Sequence, residues 1–141
     1  MFAPTREQVR QFFFDAWAKH RRREVLVGAE VTAVDVILAH PEYHDLLDDV
    51  AFNRNREWTP AQGETNPFLH LSMHLAIEEQ LAIDQPAGIR AAFDALAKRR
   101  GDRHAASHAT LECLGAMMWR SQRDNAPPDG EAYVECVRRA R

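Results

Sequence analysis

A chain of 141 residues has the size of one ordinary domain, able to bury roughly two thirds of its unfolded surface without a metal or a disulfide to hold it together. Apolar residues make up 45% and charged residues 28%, a balance that excludes wholesale disorder and collagen-like or mucin-like repeats. Eighteen Lys and Arg against 21 Asp and Glu leave a net charge of -3, too mild for the long-range field that recruits nucleic acid.

Strand patterns are almost absent, and helix punctuation recurs along the chain. The expected fold is all-α, a single-domain bundle of about five to six helices over residues 1–141. Thr5 followed by Gln8 reads as a capping box that opens a first helix through about His20, with Phe13, Phe14 and Trp17 on its apolar stripe. A second helix follows Gly28 with Val31, Val34, Ile37 and Leu38, and the chain bends or restarts at Pro41, where His40 is placed to cap the new turn. Residues 50–66 form the longest irregular stretch, anchored by Phe52 and Trp58, and the part from Phe52 to Thr65 reads as a candidate lid.

Asn66-Pro67 supplies a cap and a first-turn proline for a third helix to about Asp84. Pro86 opens a fourth that Gly101 ends, and Asp102 caps a fifth to about Asn125. Pro127-Pro128-Asp129 breaks the chain before a short terminal helix. With short links, helices three and five are expected to run parallel. The basic clusters at residues 21–23, 98–100 and 138–141 lie at helix C-termini, where positive charge meets the negative end of the helix dipole.

Cys113 and Cys136 form neither a disulfide framework nor a C-x-x-C motif, and the opening Met1-Phe-Ala-Pro-Thr-Arg lacks an apolar signal region. The expectation is a protein without a disulfide, in a reducing cytoplasmic compartment and with no membrane partner.

Histidine carries the chemical signal. The third helix contains His70-Leu-Ser-Met-His74-Leu-Ala-Ile-Glu78 and the fifth His104-Ala-Ala-Ser-His108-Ala-Thr-Leu-Glu112, both H-x-x-x-H-x-x-(I/L)-E. A weaker copy is His40-Pro-Glu-Tyr-His44-Asp-Leu-Leu-Asp48. Random placement of seven histidines predicts about 0.3 such pairs four apart, against three disjoint ones. Residues four apart share one helix face, so each copy projects two imidazoles and a carboxylate in one direction, and the neighbours Leu71, Ile77, Leu111, Met118 and Trp119 make that direction the core.

Burying imidazoles and carboxylates without partners costs several kcal/mol per charge, so a metal centre built from facing helices is expected. Its candidate ligands are His40, His44, Asp48, His70, His74, Glu78, His104, His108 and Glu112. Six imidazoles exceed what one tetrahedral zinc accepts, which points to two divalent ions, iron first, with manganese or zinc as alternatives.

Oxygen or peroxide chemistry, or hydrolysis of a small substrate, fits such a centre, making the chain a candidate metal-dependent oxidoreductase or hydrolase with an unspecified small-molecule ligand. Tyr43 and Trp119 are candidate redox or gating neighbours. Bis-histidine haem leaves the carboxylates unused. A metal-free interaction module with a buried histidine and carboxylate network, and a mononuclear structural zinc site, stand as the alternatives.

The strings REQVRQFFFDAWAKH, HPEYH, TNPFLHLSMHLAIEEQLAIDQPAGIRAAF, HAASHATLECLGAMMW and PPDGEAY resemble a bacterial family known as domain of unknown function 1841, over essentially the whole chain. The resemblance implies a small single-domain protein and brings no catalytic residue with it. In chemistry alone the ligand set is similar to that of hemerythrin-like bundles, which hold two irons with histidines and bridging carboxylates; the helix order and the triple pattern differ from theirs.

Overall fold

The computed structural model describes residues 5–58 and 66–141 and is all-helical. Among these residues there are eight α-helices and no strand: α1 (Arg6–Arg21), α2 (Ala29–Leu38), a 3-10 turn (Pro41–Tyr43), α3 (His44–Asp48), α4 (Val50–Asn53), α5 (Pro67–Ile83), α6 (Ile89–Arg100), α7 (Arg103–Asp124) and α8 (Gly130–Arg139). The count exceeds the expected five to six because single turns form where the sequence reads as bend or loop. The helix expected from Pro41 divides into the 3-10 turn and the five-residue α3, and α4 begins the stretch read as irregular. In α4 the Asp49 carboxylate accepts the Phe52 amide proton, a local cap that propensity over so short a window does not reveal. Half of the candidate lid, residues 59–65, lies outside the described residues.

Backbone contacts divide the chain into two compact units, Met1–Leu75 and Ala76–Arg141. In the first unit, α1 opens on the expected capping box: Thr5 Oγ1 accepts the Gln8 amide proton while Gln8 Oε1 accepts that of Thr5. Its apolar stripe buries Phe13, Phe14 and Trp17 against Val34, Val36 and Ile37 of α2, with Leu47, Phe68 and Leu71 completing the core. Each such large side chain withdrawn from water contributes about 1.5–3 kcal/mol.

The turn into α2 needs Gly28, whose φ of +58° is strained for any residue with a Cβ. Arg10 belongs to this core too. It is buried, its guanidinium donates to the carbonyls of Arg54 and Arg56 at 3.0 and 2.9 Å, and it lies over the rings of Trp58 and Phe68.

The second unit comprises the end of α5 together with α6, α7 and α8, and the last three pack on one another. The packed helices bury Ile89, Phe93 and Leu96 of α6, Tyr133, Val134 and Val137 of α8, and Ala106, Ala109 and Leu114 of α7. The α6 helix starts at Ile89 and not at Pro86, because Gly88 takes a left-handed conformation (φ +93°) that cannot lie inside a helix.

Asp102 caps α7 through the amides of His104 and Ala105, as the sequence predicts. The carbonyls of Leu81 and Ala82 at the end of α5 accept hydrogen bonds from Arg90. Among the described residues no helix is long and apolar enough to cross a membrane.

The two cysteines correct an expectation. Cys113 on α7 and Cys136 on α8 form a disulfide, and no free cysteine remains. The pairing escapes sequence reading because 23 positions separate the two residues. Only the antiparallel return of the chain after Pro127-Pro128 brings their Cα atoms to 5.8 Å. The argument for a reducing compartment loses its premise with it.

Candidate metal centre

Three histidines of the first unit converge. His40 leaves the end of α2, held by its amide on the Ile37 carbonyl at 2.9 Å, and is 1% exposed. His70 and His74 project from successive turns of α5, the first half-buried and the second 4% exposed. The Nε2 atom of His70 lies 3.2 Å from Nε2 of His40 and 3.1 Å from Nε2 of His74. The three offer ligand atoms that all fall within 4.8 Å of one another. The Tyr43 ring closes one side, parallel to His40 at 5.7 Å and edge-on to His70 at 6.0 Å, and burial followed by the nearby Glu42 charge pushes its hydroxyl pKa up.

One tautomer of His40 follows from its surroundings. Its Nδ1 lies 2.7 Å from the Val36 carbonyl oxygen, which can only accept, so Nδ1 carries a proton and the neutral tautomer is the one with its lone pair at Nε2. His70 has one proton or one lone pair at Nε2, and so makes a straight hydrogen bond to one neighbour only.

If His70 donates to His40, His74 is left with a shared proton at best; if His70 accepts from His74, two lone pairs meet at His40. Neutral tautomers therefore do not satisfy both contacts well. A cation accepting all three lone pairs does. With metal–nitrogen bonds of about 2.0–2.1 Å, nitrogen–nitrogen edges run from about 2.9 Å in an octahedral shell to about 3.4 Å in a tetrahedral one, and the two observed distances fall inside that range. The Nδ1 bond to Val36 is the kind of outer contact that fixes the orientation of a ligating imidazole.

The structure does not bring His44 and Asp48 to this cluster. Residues 41–43 wind as a 3-10 turn and not as α-helix, so the rule that positions four apart share a face fails across His40 and His44. His44 points its Nε2 at the Ile37 carbonyl at 2.9 Å and packs its ring on Trp17. Asp48 accepts the Trp17 indole proton at 2.8 Å and two hydrogen bonds from Arg21 at 3.2 and 2.9 Å. Partial burial raises the Asp48 pKa, but the Arg21 and Trp17 bonds together outweigh it and hold the carboxyl below the usual carboxylate range.

In the second unit, His104 and His108 of α7 pack edge to face with ring centroids 4.3 Å apart. The face expected to be core is more open than its pattern suggests: His104 is half-buried, His108 is exposed, and Met118 and Trp119 are 41% and 59% exposed. Glu78 is gripped by both terminal nitrogens of Arg103 at 2.7 and 3.0 Å, an ion pair that raises the arginine pKa further. Glu112 is exposed.

No curated protein and no solved structure matches this chain. The profile described as domain of unknown function (DUF1841) matches residues 5–139. That span includes every histidine discussed above, and the chain belongs to the DUF1841 family.

Proposed function

We propose that the chain is a metal-binding protein whose centre is built on His40, His70 and His74. The observation that carries the reading is the pair of Nε2–Nε2 contacts at His70, which one shared cation satisfies and neutral tautomers do not. Imidazole donors suit zinc and iron(II) better than magnesium or calcium, which prefer oxygen shells.

With Asp48 held by Arg21 and Trp17, a single ion in a nitrogen-rich shell is favoured over two ions bridged by carboxylates. Such a shell leaves room for water or a small ligand, whose pKa a bound divalent ion lowers. A cytoplasmic setting remains compatible with this role and is not required by it.

Elemental analysis of protein purified without a histidine tag tests the proposal. The expected content is near one equivalent of zinc or iron per chain, lost in His40→Ala, His70→Ala and His74→Ala and kept in His44→Ala and His20→Ala. Undiminished metal in the His70→Ala protein would sink the reading.

A further inference from the structure

The disulfide of the second unit lies in a groove whose charge is unusual for a chain of net charge -3. A volume of about 480 Å³ opens beside Cys113 and Cys136, lined by Arg100, Arg139 and Arg141 with Glu112 as the acidic member. That is within the roughly 300–1,000 Å³ typical of small-molecule sites. Arg139 is partly neutralised by Glu135 at 2.9 Å. The two cysteines differ in burial: Cys113 is 4% exposed, whereas Cys136, on α8, is half-buried.

We propose that the Cys113–Cys136 disulfide is a thiol-exchange site for a negatively charged low-molecular-weight thiol, attracted by the three arginines and attacking Sγ of Cys136. Exchange proceeds by attack of a thiolate on one sulfur, through an arrangement in which negative charge spreads over three sulfur atoms in line. Guanidinium groups beside the disulfide favour both the approach of an anionic thiol and that charge distribution.

The incoming thiolate forms a bond to Cys136 Sγ as the Cys113–Cys136 bond breaks, and the electron pair leaves on Cys113, which takes a proton from water. A second molecule of the same thiol attacks its own sulfur in the mixed disulfide. It frees Cys136 as thiolate and leaves as the oxidised small-molecule disulfide. Two electrons pass from two small thiols to the two protein sulfurs. Attack is assigned to Cys136 because it is the less buried of the two residues.

The experiment uses the full chain isolated without reductant, with glutathione as the anionic probe and 2-mercaptoethanol and cysteamine as neutral and cationic comparators. Alkylation traps the products for intact-mass measurement and peptide mapping. Rates are corrected for thiolate fraction and for a Brønsted slope of about 0.4–0.5.

Glutathione is expected to react about tenfold faster than 2-mercaptoethanol at low salt, and cysteamine slower than both. The advantage should collapse at 1 M salt, where the screening length is about 3 Å. The adduct should map to Cys136. The R100Q/R141Q double variant should lose most of the glutathione advantage while its 2-mercaptoethanol rate stays within about twofold of the parent, the residual charge effect at such an exposed site being small. Equal corrected rates for the three thiols, an adduct on Cys113, or two alkylatable thiols in the protein as isolated would each overturn the proposal.

Discussion

His40 and His70 approach each other through their Nε2 atoms at 3.2 Å, while the far nitrogen of His40 is tied to the Val36 carbonyl at 2.7 Å. One residue is thus anchored on the backbone of α2 and the other on α5. An ion between them joins segments 30 positions apart in sequence, and its removal should be felt by the fold.

Metal binding should stabilise the protein by mass action, and because an imidazole coordinates only when neutral, protons compete with the ion for the same nitrogens. The stabilisation is therefore lost as pH falls. Calorimetry at pH 7.5 should show metal-loaded protein melting above the chelated form, with the gap closing by about pH 5. The first unit has a core of its own, so the chelated form should still fold at room temperature. Identical melting curves at pH 7.5, on protein carrying metal beforehand, would exclude a structural role for the ion.

Asp48 and Arg21 give a second pH dependence, of known sign. The folded-state pKa of Asp48 is lowered, so its contribution is present above the ordinary carboxylate value of about 3.9 and lost as pH falls through the lower folded value. Asp48→Asn keeps an acceptor for Trp17 and removes the charge facing Arg21. Because both side chains are about half exposed, the expected loss at pH 7 is only about 0.5 kcal/mol. Urea titrations should show the difference from the parent shrinking as pH falls below the ordinary carboxylate range, and a difference that does not shrink would assign the effect to packing.

Glu78→Ala separates two roles for the terminal carboxylate of the H-x-x-x-H-x-x-(I/L)-E pattern. Its bidentate pairing with Arg103 predicts a stability loss of about 1 kcal/mol with metal content unchanged. Glu79→Ala, at an exposed neighbouring position, should alter neither. Metal lost from the Glu78 variant alone would make that carboxylate a ligand after all.

Reduction of Cys113–Cys136 should cost about 3 kcal/mol in the chain-entropy account, given the 23-residue separation of the two sulfurs. A Cys113→Ser/Cys136→Ser protein should show the same loss by denaturant unfolding, and reductant should then have no further effect on it. Parent protein whose melting ignores reductant would show that the bond does not constrain the unfolded chain.

Much of the architecture was legible locally. The Thr5 capping box, the Asp102 cap and the left-handed Gly101 end depend on backbone groups within four residues, so the sequence alone placed the ends of α1, α6 and α7 that they govern. The His70–His74 pair was legible for the same reason: α5 is continuous, and one helical turn carries four positions to the same face.

Across Pro41 that inference failed, since a 3-10 turn advances each residue by a different angle and sends His44 to the α2 carbonyls and Trp17. The carboxylates were undecidable from spacing because their partners, Arg21 for Asp48 and Arg103 for Glu78, are 27 and 25 positions away. So was the disulfide, closed by the chain reversal before α8. Helix ends and same-face pairs obey short-range geometry; which arginine neutralises a carboxylate, and which sulfur meets which, is decided only once the helices pack.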